Sequence, residues 1–255
     1  VVAAQVGDTM GGTTCITGGQ CEDVCPAGAL AEHSNVEEVL KALGGPAKTV
    51  IGQTAAAVGV GLGQSFGYSG KSVTGKMVAA LRQLGFDRVF DTDFTADLTI
   101  MEEGTELLQR LAKLLNGEDV KMPLMTSCCP GWVSFCEKHY PELLPNLSTA
   151  KSPMEMFGAV AKNYLAPRMD VDRKDMVVVA VMPCVAKKAE RARPEFSKDG
   201  IPDVDIVITT RELARMIRYA NINFNALQDS DFDKAMGESS GCLVYTSDAA
   251  DSLTC

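Results

Sequence analysis

Met176-Val177-Val178-Val179-Ala180-Val181-Met182 is a run of seven apolar residues, followed at once by Pro183. The run is too short for a buried helix and rich in β-branched Val, so it reads as a strand covered on both faces. Such a strand belongs in a parallel sheet with helices on either side. The flanking text agrees. Thr49–Gly52, Arg88–Phe90, Met122–Thr126 and Val204–Ile208 read as further short strands. Between them lie helical segments at Val36–Leu43 and Thr74–Leu84. Asp97 is a candidate N-cap, after which Leu98, Met101, Thr105, Leu108, Ala112 and Leu115 recur at helical spacing up to Gly117. Ser152-Pro153-Met154-Glu155 has the form of a capping box, opening a helix to about Leu165. Thr209 with Glu212 caps a last helix to about Ala220. The predicted fold class is α/β: mainly parallel sheets flanked by helices. Ligands of such sheets bind beyond the carboxyl ends of the strands. Three loops are expected there: Gln53–Gly59, Ser127–Gly131 and Pro183–Lys188.

Composition narrows the function. The net charge of -9 argues against a general nucleic-acid surface. The longest apolar run, Met176–Met182, is too short to span a bilayer. Nine cysteines are too few for a disulfide scaffold yet more than a typical cytosolic enzyme needs, so metal or redox chemistry is expected. The opening Val1-Val2 has no basic and apolar leader after it. That predicts a clipped N-terminus and a cytoplasmic location, where thiols stay available to metals.

The first cysteine group is Cys15-x2-Gly18-x2-Cys21-x3-Cys25-Pro26. It has the spacing of a bacterial iron–sulfur run, with Gly18 where the second Cys stands. Few large apolar residues surround it, which disfavours three buried structural thiols. A three-iron cluster, an external ligand or a misread codon would each account for Gly18. The second group, Cys128-Cys129-Pro130-Gly131-Trp132, sits on a turn. A vicinal disulfide would be strained, so one thiol can bind metal while the other faces a substrate. Two inert thiols in a small-residue turn are an equal alternative. The third, Cys184-Val185-Ala186-Lys187-Lys188, pairs a thiolate with an ammonium suited to an anionic cofactor. A buried Cys with surface lysines fits as well. Cys136 reads as packing, and His33 and His139 as surface residues. Glu102, Glu103 and Glu106 form either a solvated helix face or a carboxylate relay.

Thr126-Ser-Cys-Cys-Pro-Gly-Trp132 together with Met182-Pro-Cys-x2-Lys-Lys188 resembles two of the three signature motifs of iron-only (FeFe) hydrogenases. The likeness extends to Leu98-Thr-Ile-Met-Glu-Glu103, Ala150-Lys-Ser-Pro153 and Asp205-Ile-Val-Ile-Thr-Thr-Arg-Glu-Leu213, and covers about Thr13 to Gly241. It implies a cofactor made of a 4Fe–4S cluster bridged by a thiolate to a two-iron unit with CO and cyanide ligands, and interconversion of protons, electrons and dihydrogen. Carried over by motif, Cys129 and Cys184 are two of four cysteine ligands. Cys128 is the acid/base thiol. Lys187 hydrogen-bonds a cyanide, and Met182 packs near a bridging CO. Glu103, Glu106 and Ser148 form the proton path, and Ala55, Ala56 and Ala57 contact the two-iron unit through their backbone. Cys15, Cys21 and Cys25 resemble the end of a ferredoxin-type module. The implied partners are ferredoxin or NAD(P)H-oxidising flavoprotein subunits, and cluster-maturation proteins.

The resemblance divides the chain into residues 1–45, a partial ferredoxin-like module, and 46–241, the first part of the catalytic domain, with the boundary at Leu43-Gly44-Gly45-Pro46. No Cys-x3-Cys pair, the family's third motif, follows Cys184. Residues 242–255 resemble translated sequencing-adapter text and are expected to be non-native, making the chain an inactive fragment. Relatives mostly carry Pro at the place of Ala56 and Arg at the place of Gly59. An alternative within the same fold is a Nar1-like iron–sulfur assembly protein. Such proteins lack the paired cysteine, so Cys128 favours a hydrogenase.

Overall fold

The computed structural model describes residues 13–45 and 48–234. Four of the five expected strands assemble into one parallel sheet. Its members are β1 (Thr49–Thr54), β2 (Arg88–Asp91), β3 (Met176–Met182) and β6 (Ile206–Thr209), in the order β2-β1-β3-β6. Residues β4 (Ser197–Lys198) and β5 (Ile201–Pro202) make a separate two-residue antiparallel ladder. The seven-residue apolar run is β3 over its whole length, and every residue in it is buried. Thr49–Thr54 lies in register with Met176–Val181, so the carboxyl ends of β1 and β3 finish side by side.

Alternation along β3 explains the two-sided core. Val177, Val179 and Val181 join one cluster, under α2 (Val36–Leu43), α3 (Ala56–Ser65), α4 (Thr74–Leu84) and α10 (Thr210–Tyr219). Met176, Val178, Ala180 and Met182 join the other, with Met154 and Phe157 of α7 (Pro153–Val160). Outside α7 lies the 23-residue α5 (Asp93–Leu115). The remaining helices are α1 (Gln20–Asp23), α6 (Pro130–His139), α8 (Ala166–Arg168) and α9 (Ala186–Arg191). None of the described helices is long and apolar enough to cross a membrane.

Four local expectations are corrected. Met122–Thr126 is not a strand: it makes one bridge, Met125 to Leu147, beside a Pro that has no N–H for a ladder. Asp97 is not an N-cap. Helix α5 starts at Asp93, whose N–H is taken by Asp91 Oδ1 at 3.1 Å, and Thr95 Oγ1 anchors its first turn to the Pro153 carbonyl at 2.8 Å. The loop expected at Gln53–Gly59 becomes α3 from Ala56 onward. Its glycines mask the helix in the sequence, and close packing requires them: a Cβ on Gly63 would meet the Lys71 carbonyl at 2.9 Å. A Cβ on Gly59 would collide with Thr74 Oγ1. The capping box at Ser152 is only half formed. Ser152 Oγ accepts from Glu155 N at 3.4 Å, but the Glu155 carboxyl does not reach back. The box at Thr209 and Glu212 is complete.

The segment 13–45 is tied to the sheet by polar contacts. Lys138 donates to the Thr13 and Cys15 carbonyls at 2.9 and 2.6 Å. Lys188 donates to the His33 carbonyl at 2.7 Å and to Glu212 at 2.7 Å, and Glu212 Oε1 accepts from Asn35 N at 2.8 Å. Glu32 accepts from Thr209 Oγ1 at 2.9 Å. Residues 1–12, 46–47 and 235–255 lie outside the described residues, and with them Gly237–Gly241 and the segment read as non-native.

Candidate metal centre

Three segments meet beyond the carboxyl ends of β1 and β3. Ala55, Ala56 and Ala57 form the N-terminus of α3, and Ala55 N donates to the Val181 carbonyl at 3.2 Å. No side chain caps that N-terminus. Its backbone N–H groups are a natural place for negative charge. Next to it, Thr54 Oγ1 is buried with no hydrogen-bond partner. Cys184 follows β3 after Pro183 and is half-buried. Cys129 is the N-cap of α6, held by Pro130 at the first helical position, and is exposed together with Cys128. The link between the two cysteine loops is Lys187. Its ammonium donates to the Cys128 carbonyl at 2.8 Å and pairs with Glu190 at 2.7 Å. Met182 lies at the end of β3 in the second core cluster and is buried.

A polar chain approaches Cys128 from α5. Glu106 Oε2 accepts from Ser148 Oγ at 3.0 Å and from Thr149 N at 2.9 Å. Glu106 Oε1 takes Arg110 Nε at 3.0 Å and Nη2 at 2.6 Å. Burial alone would raise the Glu106 carboxyl, but the Thr149 N–H, Arg110 and Ser148 together hold it below the usual carboxylate range. Glu103 behaves oppositely. Burial pushes it up against the opposing pull of the Ser148 hydroxyl and the Ser127 backbone, and the nearby Glu106 adds to the rise. One Glu103 oxygen is buried without a partner. Glu103 is thus influenced both by the Ser148 hydroxyl and by the backbone of Ser127, the residue before Cys128. A cleft of about 390 Å³, lined by Glu102, Glu106, Gln109, Thr149 and Lys151 among others, reaches Glu106 from outside. Of the three glutamates, Glu102 alone is exposed, as a solvated helix face requires.

The N-terminal cysteines are arranged otherwise. Among the described residues, no group of three or more His, Cys, Asp or Glu side chains could hold a metal ion. Backbone N–H groups of Ala29 and Ala27, and further of Leu30 and Gly28, do hold the Cys25 thiol below its ordinary value. Gly19, at φ +79°, packs where a Cβ would lie 3.2 Å from Val185, which brings this segment against the Cys184 loop. Cys136 is buried, and burial raises its thiol; His33 and His139 are exposed. Sequence reasoning missed Arg110, which its spacing four residues after Glu106 could have flagged. It also missed Glu190, whose pairing with Lys187 no motif announces.

The family described as "Iron only hydrogenase large subunit, C-terminal domain" matches residues 48–249. The chain belongs to the iron-only hydrogenase family. Its match runs past Gly241 into the segment read as non-native. The chain is 58% identical over 243 residues to "NADP-reducing hydrogenase subunit HndD" of Solidesulfovibrio fructosivorans, covering 94% of this chain and 42% of that relative. It superposes on a variant of apo [FeFe]-hydrogenase HydA1 from Chlamydomonas reinhardtii with a TM-score of 0.75 and 42% identity, over 81% of this chain and 52% of that one. A "Cytosolic Fe-S cluster assembly factor narfl" of Danio rerio is 33% identical, covering 68% of this chain and 42% of that relative. The chain thus spans less than half the length of these curated relatives. Hydrogenases of this family carry the H-cluster, a 4Fe–4S unit joined to a two-iron unit with CO and cyanide ligands. The described residues fit part of such a group. Two thiols, a paired ammonium, an uncapped helix N-terminus and the orphaned Thr54 hydroxyl surround one mouth and suit a thiolate-bound, anionic cofactor.

Proposed function

We propose that this chain contributes the first part of a site for reversible interconversion of protons and electrons with dihydrogen. The single observation that carries the reading is the polar chain Glu106–Ser148–Glu103, which leads to the backbone of Ser127, the residue before Cys128, while Lys187 holds the Cys128 carbonyl. The H-cluster, when bound, supplies the iron at which electrons and protons combine. Cys129 and Cys184 would hold it, Lys187 would bind a cyanide, and the Ala55–Ala57 backbone would cradle the two-iron unit. Glu106, ionised at rest beside Arg110, takes a proton from the cleft in passing and gives it to the Ser148 oxygen. The Ser148 hydroxyl hands a proton on to Glu103, whose burial favours the protonated acid. From there it passes to the Cys128 thiol, within reach of the reacting centre. Met182 and the second core cluster keep water from the inner wall.

On this reading the protein works in the cytoplasm. Electrons reach it from ferredoxin or an NAD(P)H-oxidising flavoprotein subunit; the similarity to a subunit named NADP-reducing supports the latter. A ferredoxin-like module in residues 1–45 would receive them once Cys15, Cys21 and Cys25 are drawn together around a cluster, and maturation proteins would install the clusters. Without a Cys-x3-Cys pair after Cys184, the chain alone lacks two ligands and is expected to evolve no hydrogen. The test is anaerobic maturation of this chain and of one extended by that third motif. Hydrogen evolution by the extended chain alone supports the reading. An extended chain that holds its iron but evolves no hydrogen points instead to an assembly role like that named for the Danio rerio relative.

A further inference from the structure

Glu155 is fully buried in the first turn of α7, and neither carboxyl oxygen has a hydrogen-bond partner. Unpaired carboxylates are costly inside a protein, so a group kept in this state calls for a reason. The charged groups that face it are Glu190 and Lys187 on α9, Asp203 ahead of β6 and Lys151 ahead of α7. These four are already two ion pairs. Lys187 and Glu190 lie 2.7 Å apart, and Lys151 and Asp203 2.5 Å apart. Glu190 and Asp203 are almost fully buried. Two positive and two negative charges cancel, provided Glu155 is a neutral acid. Burial first, then Glu190 and Asp203, push its carboxyl up to about 8, against the weaker pull of Lys187 and Lys151. If it ionised, a third carboxylate would compete with Glu190 for Lys187, which ties Glu190 to the Cys128 carbonyl.

We propose that Glu155 is a positioning residue: as a carboxylic acid it balances the two flanking ion pairs and so holds the Lys187 ammonium at the Cys128 carbonyl, open to an anionic ligand. The identity of that ligand rests on the hydrogenase reading above; the positioning of Lys187 does not.

The test uses the full 255-residue chain without iron. Lysine is labelled with ¹³C and ¹⁵N, the Lys187 signals are assigned by their loss in Lys187→Arg, and the protein is titrated across about 8. The expected result is a step in the Lys187 Cε and Nζ shifts in the wild type and none in Glu155→Gln, which mimics the neutral acid. The same step in Glu155→Gln overturns the proposal. Infrared spectra of the unsubstituted chain give a check that needs no variant. At pH 6 a protonated carboxylic-acid carbonyl band is expected, lost above about 8; its absence at pH 6 overturns the proposal equally. Failure of the hydrogenase reading would appear in iron loading and hydrogen evolution, neither of which enters this titration.

Discussion

Ser148 Oγ lies 3.0 Å from Glu106 Oε2, although the two residues stand 42 positions apart. The contact pins the loop behind the Met125–Leu147 bridge to the middle of α5. Arg110 reinforces it by donating to Glu106 and to the Leu147 and Pro145 carbonyls. The Glu106–Ser148 geometry therefore depends on a packed loop rather than on a regular element.

Ser148→Ala removes the hydroxyl between the two glutamates and leaves Thr149 and Arg110 to hold Glu106. In a matured chain extended by the third ligand motif, hydrogen evolution is expected to fall by about 10²-fold or more. The iron content should not change. Undiminished turnover would exclude a path through Ser148.

Cys128→Ser should likewise stop turnover in the extended chain at unchanged iron content. Iron quantification decides the matter, because loss of iron would make Cys128 a ligand or a structural residue rather than the proton-carrying thiol.

Glu106→Gln tests the opposite electrostatics of the two glutamates through stability. The Glu106 carboxyl sits below its usual value in the fold, so the ionised form stabilises the native state. That contribution is present above the ordinary carboxylate pKa and is lost as pH falls through the lowered one. Melting temperature followed over the acid range should decline less steeply in Glu106→Gln than in the wild type. Parallel curves would contradict the assignment.

Lys188→Met breaks the junction between residues 13–45 and the sheet. It leaves Glu212, fully buried, and Glu32, nearly so, without the ammonium they share. Removing one partner of such a buried set costs about 3–5 kcal/mol. Chemical denaturation should register that loss, and hydrogen exchange should show residues around His33 and Asn35 opening first. Unaltered protection there would mean that the other contacts suffice.

Two glycines in helices should respond in opposite ways to alanine. At Gly158 a Cβ would run into the Asp203 backbone against which α7 packs, so Gly158→Ala is expected to destabilise by about 1–3 kcal/mol. At Gly104 in α5 nothing lies within 4 Å, and Gly104→Ala should stabilise by about 0.5–1 kcal/mol. Denaturant midpoints separate the two signs.

The parallel sheet and the ends of several elements follow from patterns local to the chain. An all-apolar run can be satisfied only when covered on both faces, so Met176–Met182 was legible as β3 to the residue. The boundaries of α2 and α4, and the capping box at Thr209 and Glu212, follow from contacts within a few positions. The cysteine motifs were legible because their spacing is local too. Tertiary structure alone decided what depends on neighbours distant in the chain. It made Ala56–Ser65 a helix, because close packing rewards glycines that intrinsic propensity penalises. It left Met122–Thr126 with a single bridge and moved the start of α5 ahead of Asp97. It turned Lys187 toward Cys128 and Lys188 toward His33, a division that two adjacent lysines cannot announce. It also set the charge state favoured by Glu103 and Glu155, because burial and facing charges are properties of the assembled interior.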